Sequence, residues 1–110
     1  AQVEIIECDL SSQKSIRKSA EIIKQHFPVI DVLINNAGIN TDQHELTEDG
    51  IEKTFAVNHL AYFLLTGLLL DNIKISKQAR IINVSSNGHR GVDLDLEKIK
   101  NNEYKGRYPT

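Results

Sequence analysis

Apolar residues along the chain alternate between short continuous runs and helical spacings. A strand-like run covers residues 3–8, and apolar positions at intervals of three and four from Ile16 to Phe27 predict one face of a helix. The hydroxyl groups at residues 11–12 are suited to cap the start of this helix. Pro28 ends it, because proline cannot continue the helical hydrogen-bond ladder.

The rest of the chain repeats this alternation. Residues 29–34 are a short apolar, β-branched run, which is typical of a strand buried on both faces of a parallel sheet. A helix over residues 48–72 is predicted next, with Thr47 as N-cap and an acidic first turn. Residues 80–85 form a third strand, and a short helix is expected near residues 96–100. The order β-α-β-α-β predicts an α/β fold with parallel strands.

Composition narrows the class of protein. The chain has 110 residues, 40% of them hydrophobic, and 13 basic against 15 acidic residues, a formal charge of −2. This length and composition predict at most one globular domain. The near-neutral charge argues against a nucleic-acid clamp and against a polybasic membrane-binding surface. The single cysteine, Cys8, excludes a disulfide framework and a cysteine-based zinc site. The longest apolar stretch, residues 60–70, holds about half of the roughly 20 residues that a membrane span needs, so no span is expected.

Candidate chemistry follows from where the strands end. In open α/β sheets, ligands bind beyond the carboxyl ends of the strands. The segments 9–10, 35–38 and 85–88 follow the three predicted strands. Each segment taken singly is most simply a strand-end turn. Asn58 taken alone is most simply a polar helix residue satisfied by the backbone. Tyr62 and the histidines are interpreted as packing or surface residues, and no metal site is predicted; the histidines are His26, His44, His59 and His89.

Three motifs change this interpretation when they are taken together. Asn-Asn-Ala-Gly at 35–38, Phe-Ala-Val-Asn-His at 55–59 and Ile-Ile-Asn-Val-Ser-Ser at 81–86 resemble the short-chain dehydrogenase/reductase family. Residues 47–52, 63–66 and 85–89 are most similar to its retinol-dehydrogenase-like and WW-domain-oxidoreductase-like branch, with Gly88 where that branch has alanine. The resemblance implies a Rossmann-type doubly wound parallel sheet, here incomplete. It also implies an oxidoreductase that interconverts an alcohol and a carbonyl by hydride transfer with NAD or NADP, on a retinoid, a steroid or another lipophilic substrate.

The resemblance also assigns cofactor-binding positions. Asp9 and Leu10 match the pair that flanks the cofactor adenine, where the aspartate carboxylate accepts a hydrogen bond from the amino group. Asn35, Ala37 and Gly38 match the motif that shapes the adenosine side of the site and steadies the central sheet. The choice between NAD and NADP lies in a strand that this sequence does not contain.

Two catalytic positions are implied in the same way. Asn58 matches the helix asparagine whose backbone carbonyl holds a proton-relay water. Ser86 matches the serine whose hydroxyl orients and polarises the substrate carbonyl, and Ser85 is the alternative if the register is shifted by one. A hydroxyl donor is useful there because hydride transfer places negative charge on the carbonyl oxygen.

The sequence also departs from the family pattern. It contains no Gly-rich phosphate loop and no Tyr-x-x-x-Lys pair: Tyr104 is followed four positions on by Tyr108. Residues 1–110 are therefore expected to be the central part of one NAD(P)-binding Rossmann domain, truncated at both ends, with the Tyr-x-x-x-Lys pair just beyond Thr110. The alternatives are a catalytically inactive binding or dimerisation module and a partial product.

The family's strand order and helix interface lead to two further expectations. In the order 3-2-1-4-5, residues 3–8 are separated from the next strand of this chain by two strands that it lacks, so their backbone groups would be left unpaired. The parent protein is expected to form a homo-oligomer through the 48–72 helix and to bind a small alcohol or carbonyl substrate. An intracellular location is expected, either cytoplasmic or associated with a membrane through segments outside this chain.

Overall fold

A computed structural model describes residues 2–91 and 93–103. The elements, in chain order, are helix α1 (Gln13–His26), strand β1 (Val32–Asn35), helix α2 (Lys53–Phe55), a π-helical turn (Ala56–Leu60), helix α3 (Ala61–Ile75), strand β2 (Arg80–Asn83), a 3-10 turn (Asn87–His89) and helix α4 (Leu96–Lys100). Helix α2, the π-helical turn and α3 are continuous and are called the long helix, Lys53–Ile75.

The two strands are parallel and adjacent, as the α/β prediction requires. Val32 is opposite Arg80 and Asn35 is opposite Asn83. Helices α1 and α3 pack together over one face of this sheet, around a core of Ala20, Leu69 and Ile73. Leu33 of β1 packs against that core, which fixes the long helix over the first strand.

The prediction that residues 29–34 are buried on both faces is wrong for the described part of the chain. Val32 and Ile34 are 49% and 58% exposed, whereas Leu33 is half-buried and Asn35 is buried. This alternation arises because successive side chains of a strand point to opposite faces, and the described helices cover one of them. The strand also begins later than predicted, since the Ile30 amide donates instead to the Asn72 carbonyl at 3.1 Å.

The predicted first strand is not a strand in this structure. Residues 3–8 have no regular secondary structure, and Val3 and Ile5 are 85% and 94% exposed. The segment is held beside α1, where the Ser19 hydroxyl donates to the Glu7 carbonyl at 2.9 Å. A strand needs a hydrogen-bonding neighbour, and none of the described residues provides one here.

The predicted cap and end of α1 are confirmed, but the predicted start of the long helix is wrong. The Ser12 hydroxyl caps α1 by accepting from the Ser15 amide at 3.1 Å, and the helix ends at His26, before Pro28. In contrast, Thr47 does not begin the next helix. The long helix begins at Lys53, because the carboxylate of Glu52 accepts from the amides of Thr54 and Phe55 at 2.9 and 2.8 Å.

Residues 46–52 form a tight turn where the first helical turn was expected. The Thr47 amide donates to the Ile51 carbonyl at 2.8 Å, and Leu46 bridges Glu52 in antiparallel fashion. Gly50 has φ of +73°, a left-handed conformation that interrupts a helix and suits glycine. The helix predicted over 48–72 therefore occupies Lys53–Ile75. The third strand likewise ends at Asn83, two residues early, and the predicted short helix is present as α4.

The long helix bears on the expectation that no membrane span is present. Among the described residues, Lys53–Ile75 is 23 residues long and by length and composition apolar enough to cross a bilayer. Core helices of globular proteins can meet the same criterion, and this helix buries Ala61, Leu69 and Ile73 inside the fold. The absence of a membrane span therefore stays a prediction.

Candidate active site

Asn35 joins the three elements that meet at the carboxyl edge of the sheet. Its side chain is buried, with 4% exposure, although it is polar. Nδ2 donates to Asn83 Oδ1 on β2 at 2.8 Å and to Thr66 Oγ1 on α3 at 3.1 Å. Both amide protons are thereby satisfied, which a buried amide requires. The placement suits the sheet-steadying role that the resemblance implies for Asn35.

Asn58 holds the loop that follows β1. Its Oδ1 accepts from the Ile39 amide at 2.8 Å, and its Nδ2 donates to the Ile39 carbonyl at 2.9 Å. Asn58 lies within the π-helical turn, which closes when the Ala61 amide donates to the Ala56 carbonyl five residues earlier. Such turns add one residue to a helical turn, and they occur frequently at functional sites.

Tyr62 contacts the same loop from one helical turn further along. Its hydroxyl donates to the Ala37 carbonyl. Residues four apart lie on the same helix face, so Asn58 and Tyr62 approach the 37–39 backbone together. The sequence alone predicts only a packing role for Tyr62. The i, i+4 spacing from Asn58 was the signal that could have identified it.

The Ser86 side chain lies in an exposed turn beyond β2. The Val84 amide donates to the Asn35 carbonyl at 2.9 Å, which continues the strand pairing to the same edge of the sheet. The Ser86 hydroxyl oxygen accepts from the Gly88 amide at 3.1 Å, and this contact leaves its proton able to donate outward. His89 Nδ1 donates to the Ser86 carbonyl at 2.7 Å, so His89 shapes this turn rather than only covering surface.

Asp9 carries an exposed carboxylate at the start of α1. Its Oδ1 accepts from the Ser11 hydroxyl at 2.7 Å and from the Ser11 amide at 2.9 Å. These hydrogen bonds, the hydroxyl first, hold the pKa of Asp9 below its ordinary value because they stabilise the charged form. The carboxylate is therefore ionised at neutral pH and able to accept further donors.

Leu10 lies deeper than Asp9 and lines a cavity. This space of about 180 Å³ lies between α1 and the long helix, with Ile16, Leu60 and Leu64 among its largely apolar lining residues. The Asp9–Leu10 segment is held against α1, where the Asp9 amide donates to the Ser15 hydroxyl at 2.9 Å. No hydrogen bond between described residues joins it to the 35–38 loop.

The structure therefore brings together one group of the predicted site residues. Asn35 is hydrogen-bonded to Asn83 on the neighbouring strand. The loop that follows it, which contains Ala37, Gly38 and Ile39, is held by Tyr62 at Ala37 and by Asn58 at Ile39. A β-carbon added at Gly38 would lie 3.6 Å from Asn58 Oδ1, an ordinary contact distance. Ser86 follows β2 at the same edge, whereas Asp9 and Leu10 are held separately. The roles of these residues in catalysis and cofactor binding remain predictions.

Two further expectations concern metals and tyrosines. Within residues 2–91 and 93–103, no three histidine, cysteine or acidic side chains form a group that could hold a metal ion. The prediction of a Tyr-x-x-x-Lys pair just beyond Thr110 depends on Tyr104, Tyr108 and Thr110, and these residues lie outside the described ones.

Comparison with known proteins identifies the family. The family pattern described as short chain dehydrogenase matches residues 1–93, and the chain belongs to this family. The chain is 50% identical over 91 residues to human retinol dehydrogenase 13, covering 83% of this chain and 28% of that protein. It is 44% identical over 94 residues to the WW domain-containing oxidoreductase of Danio rerio, covering 86% of this chain and 23% of that protein.

Solved structures agree with the fold. An uncharacterized protein from Mycobacterium paratuberculosis superposes with a TM-score of 0.72 at 39% identity, over 89% of this chain and 34% of that one. An NADPH-bound carbonyl reductase from chicken fatty liver superposes with a TM-score of 0.66 at 26% identity, over 86% and 42%. The Rossmann-type α/β fold is thus confirmed. The chain spans between about a quarter and a third of the length of the curated relatives it matches.

Proposed function

We propose that this chain is the central part of an NAD(P)-dependent oxidoreductase that interconverts an alcohol and a carbonyl on a lipophilic substrate, such as a retinoid or a steroid. Family membership supports the reaction class. The substrate class is supported by similarity to a human retinol dehydrogenase, and the cofactor by the NADPH-bound carbonyl reductase with a similar fold. Both properties are transferred from those proteins to this one.

The observation that carries the proposal is the arrangement at the carboxyl edge of the sheet. Asn58, from the π-helical turn, holds the Ile39 backbone with two hydrogen bonds. Ser86 leaves β2 at that edge with its hydroxyl exposed. The exposed loop and the exposed hydroxyl follow two paired strands at the same edge of the sheet. This arrangement suits a nucleotide and a substrate carbonyl that must meet at that edge.

In this proposal the exposed loop at residues 37–38 would hold the adenosine part of a nicotinamide cofactor. Ala37 and Gly38 are exposed and carry no large side chain, so a ligand could approach their backbone. The ionised carboxylate of Asp9 would accept from the adenine amino group, with Leu10 beside the ring. When bound, the cofactor supplies or accepts the hydride. Asn35 would hold the edge of the sheet rigid beneath it.

The protein's own part in the reaction would be to orient the carbonyl and to move a proton. Ser86 would donate its hydroxyl proton in a hydrogen bond to the carbonyl oxygen, where negative charge develops. The Asn58 backbone carbonyl would hold a relay water. Acid–base chemistry would fall to the tyrosine of the Tyr-x-x-x-Lys pair expected beyond Thr110, outside this chain.

A serine exchange in the full-length protein tests this assignment. Ser86→Ala should lower kcat by about 10²-fold, the effect of removing one donor to a developing oxyanion. Ser85→Ala is the matched control, because it removes a hydroxyl one residue away. Retinol and a steroid alcohol are suitable substrates, with NAD and NADP each supplied. Unchanged turnover in Ser86→Ala with impaired Ser85→Ala would reverse the two assignments, and unchanged turnover in both would contradict the proposal.

Self-association through the long helix also belongs to the proposal. Phe63 is 77% exposed in the middle of this helix, and burying such a side chain against a second copy would be favourable. The exposed Phe63 side chain also supports the alternative function, a catalytically inactive dimerisation module. Turnover by the full-length protein separates the two. An intracellular location, cytoplasmic or membrane-associated, completes the proposal.

A further inference from the structure

Asn102 connects the segment after the Ser86 turn to the start of the long helix. Its Nδ2 donates to the Gly50 carbonyl at 2.9 Å, and its Oδ1 accepts from the Glu52 amide at 3.2 Å. Its backbone carbonyl accepts from His44 Nε2 at 2.7 Å. Three hydrogen bonds from one residue thus reach a loop about 50 positions earlier in the chain.

The backbone of Asn102 is shaped for this contact. It has φ of +56°, and among the described residues it is the one non-glycine position with positive φ. Asparagine tolerates this left-handed conformation better than most residues. The conformation terminates α4, with the Asn102 amide donating to the Ile99 carbonyl at 3.1 Å and the Glu103 amide to the Lys98 carbonyl at 2.8 Å.

The loop that Asn102 contacts begins the helix that carries Asn58. Glu52 is buried, with 8% exposure, and its carboxylate caps that helix through the amides of Thr54 and Phe55. Asn102 holds the Glu52 amide, so it fixes the residue whose side chain sets the start of the helix. Asn58 follows six positions later.

The same contact fixes the far end of the segment that begins at Ser86. Ser86 is held at the sheet edge by β2, and residues 87–101 lie between it and Asn102. A loop tied at both ends explores fewer conformations than one tied at a single end. Both proposed catalytic positions, Asn58 and Ser86, therefore lie on segments that Asn102 joins.

From this geometry we infer that Asn102 is a positioning residue of the proposed active site, acting by tying the segment after Ser86 to the cap of the Asn58 helix. The inference rests on the proposed function. Asn102 is not placed in contact with substrate or cofactor, so its loss should affect turnover without affecting nucleotide binding.

The test uses the full-length protein and four variants. Asn102→Gly retains the left-handed backbone and removes both side-chain hydrogen bonds, while Asn102→Ala also disfavours the conformation. Asn102→Asp keeps the acceptor for the Glu52 amide and loses the donor to Gly50. Asn101→Ala is the matched control, because no hydrogen bond of the Asn101 side chain occurs among the described residues. Steady-state kinetics and hydrogen exchange at the Glu52 amide are measured for each.

The expected result is a split between kinetic parameters. Asn102→Gly should lower kcat by about tenfold, because a mutation far from the reacting atoms can still displace the catalytic groups. KM for the nucleotide should change by less than about twofold. Exchange at the Glu52 amide should accelerate about fivefold, which corresponds to one lost hydrogen bond. Asn102→Asp should recover part of kcat, and Asn101→Ala should match the wild type.

The outcomes separate this inference from the proposed function. If the wild-type protein reduces or oxidises no substrate, the proposed function fails, and this inference fails with it. If the wild type is active and Asn102→Gly retains full kcat, only the positioning role is overturned. If hydrogen exchange at the Glu52 amide is no faster in Asn102→Gly than in the wild type, the hydrogen bond from this amide to Asn102 Oδ1 does not form in solution, and the inference is overturned. A raised KM for the nucleotide with unchanged kcat would also contradict the inference.

Discussion

Replacing Asn58 by alanine in the full-length protein tests the contact on which the proposed site depends. The substitution removes two hydrogen bonds to the Ile39 backbone, of 2.8 and 2.9 Å. A typical intramolecular hydrogen bond contributes about 1 kcal/mol net, so the free energy of unfolding should fall by about 2 kcal/mol. Asn58 and Ile39 are half-buried, and partial rehydration of the freed backbone groups keeps the loss near this value.

The expected loss is measurable by urea denaturation. A change of about 2 kcal/mol alters the unfolding equilibrium about 30-fold, and the midpoint should fall with an unchanged m-value. The freed 37–39 loop would also lose its fixed position beside the proposed cofactor site. We therefore expect kcat to fall together with stability in Asn58→Ala.

Asn72→Ala is the matched control on the same helix. Asn72 Nδ2 donates to the carbonyls of Phe27 and Pro28 at 3.3 and 3.1 Å, away from the proposed site. These two hydrogen bonds are longer and exposed to solvent, so removing them should cost about 1 kcal/mol or less and leave kcat unchanged. If the free energy of unfolding of Asn58→Ala lies within about 0.5 kcal/mol of the wild-type value, the two hydrogen bonds to Ile39 do not hold the loop, and this prediction is refuted.

The remaining predictions concern activity, pH and association. The isolated 110-residue chain should show no cofactor-dependent turnover of alcohols or aldehydes, since its sequence holds neither a Gly-rich phosphate loop nor a Tyr-x-x-x-Lys pair; measurable turnover would contradict this. NMR titration of the Asp9 carboxyl should give a pKa below the ordinary aspartate value, and Ser11→Ala should raise it. Because the folded-state pKa is lowered, the stability that Asp9 contributes should be present above the ordinary pKa and be lost as pH falls through the folded value. Phe63→Asp should convert the proposed homo-oligomer of the full-length protein to monomers, because it places a charge on the exposed helix position. Light scattering measures the molar mass, and an unchanged value would place the interface elsewhere.

Local signals determined the elements whose ends depend on neighbouring residues. The Ser12 hydroxyl and Pro28 set the limits of α1, and helical spacing of apolar residues identified its buried face. The short apolar runs of β1 and β2 indicated parallel strands, although their pairing is non-local. Motif resemblance singles out Asn35 and Asn58, whose roles in the site remain predictions. The predicted limits of α1 are confirmed because they depend on chemistry within a few residues of each helix end.

Tertiary structure decided the features that depend on distant partners. Residues 3–8 have the composition of a strand, but a strand forms only beside another strand, and the described chain places none there. The long helix begins at Lys53 because the Glu52 carboxylate caps it, and Asn102 from 50 positions later holds the Glu52 amide. Tyr62 likewise reaches the Ala37 carbonyl across 25 positions. The spacing of apolar residues in the sequence indicates which face of a helix or strand is buried. Hydrogen bonds between distant segments form only when folding brings those segments together, so this spacing cannot predict them.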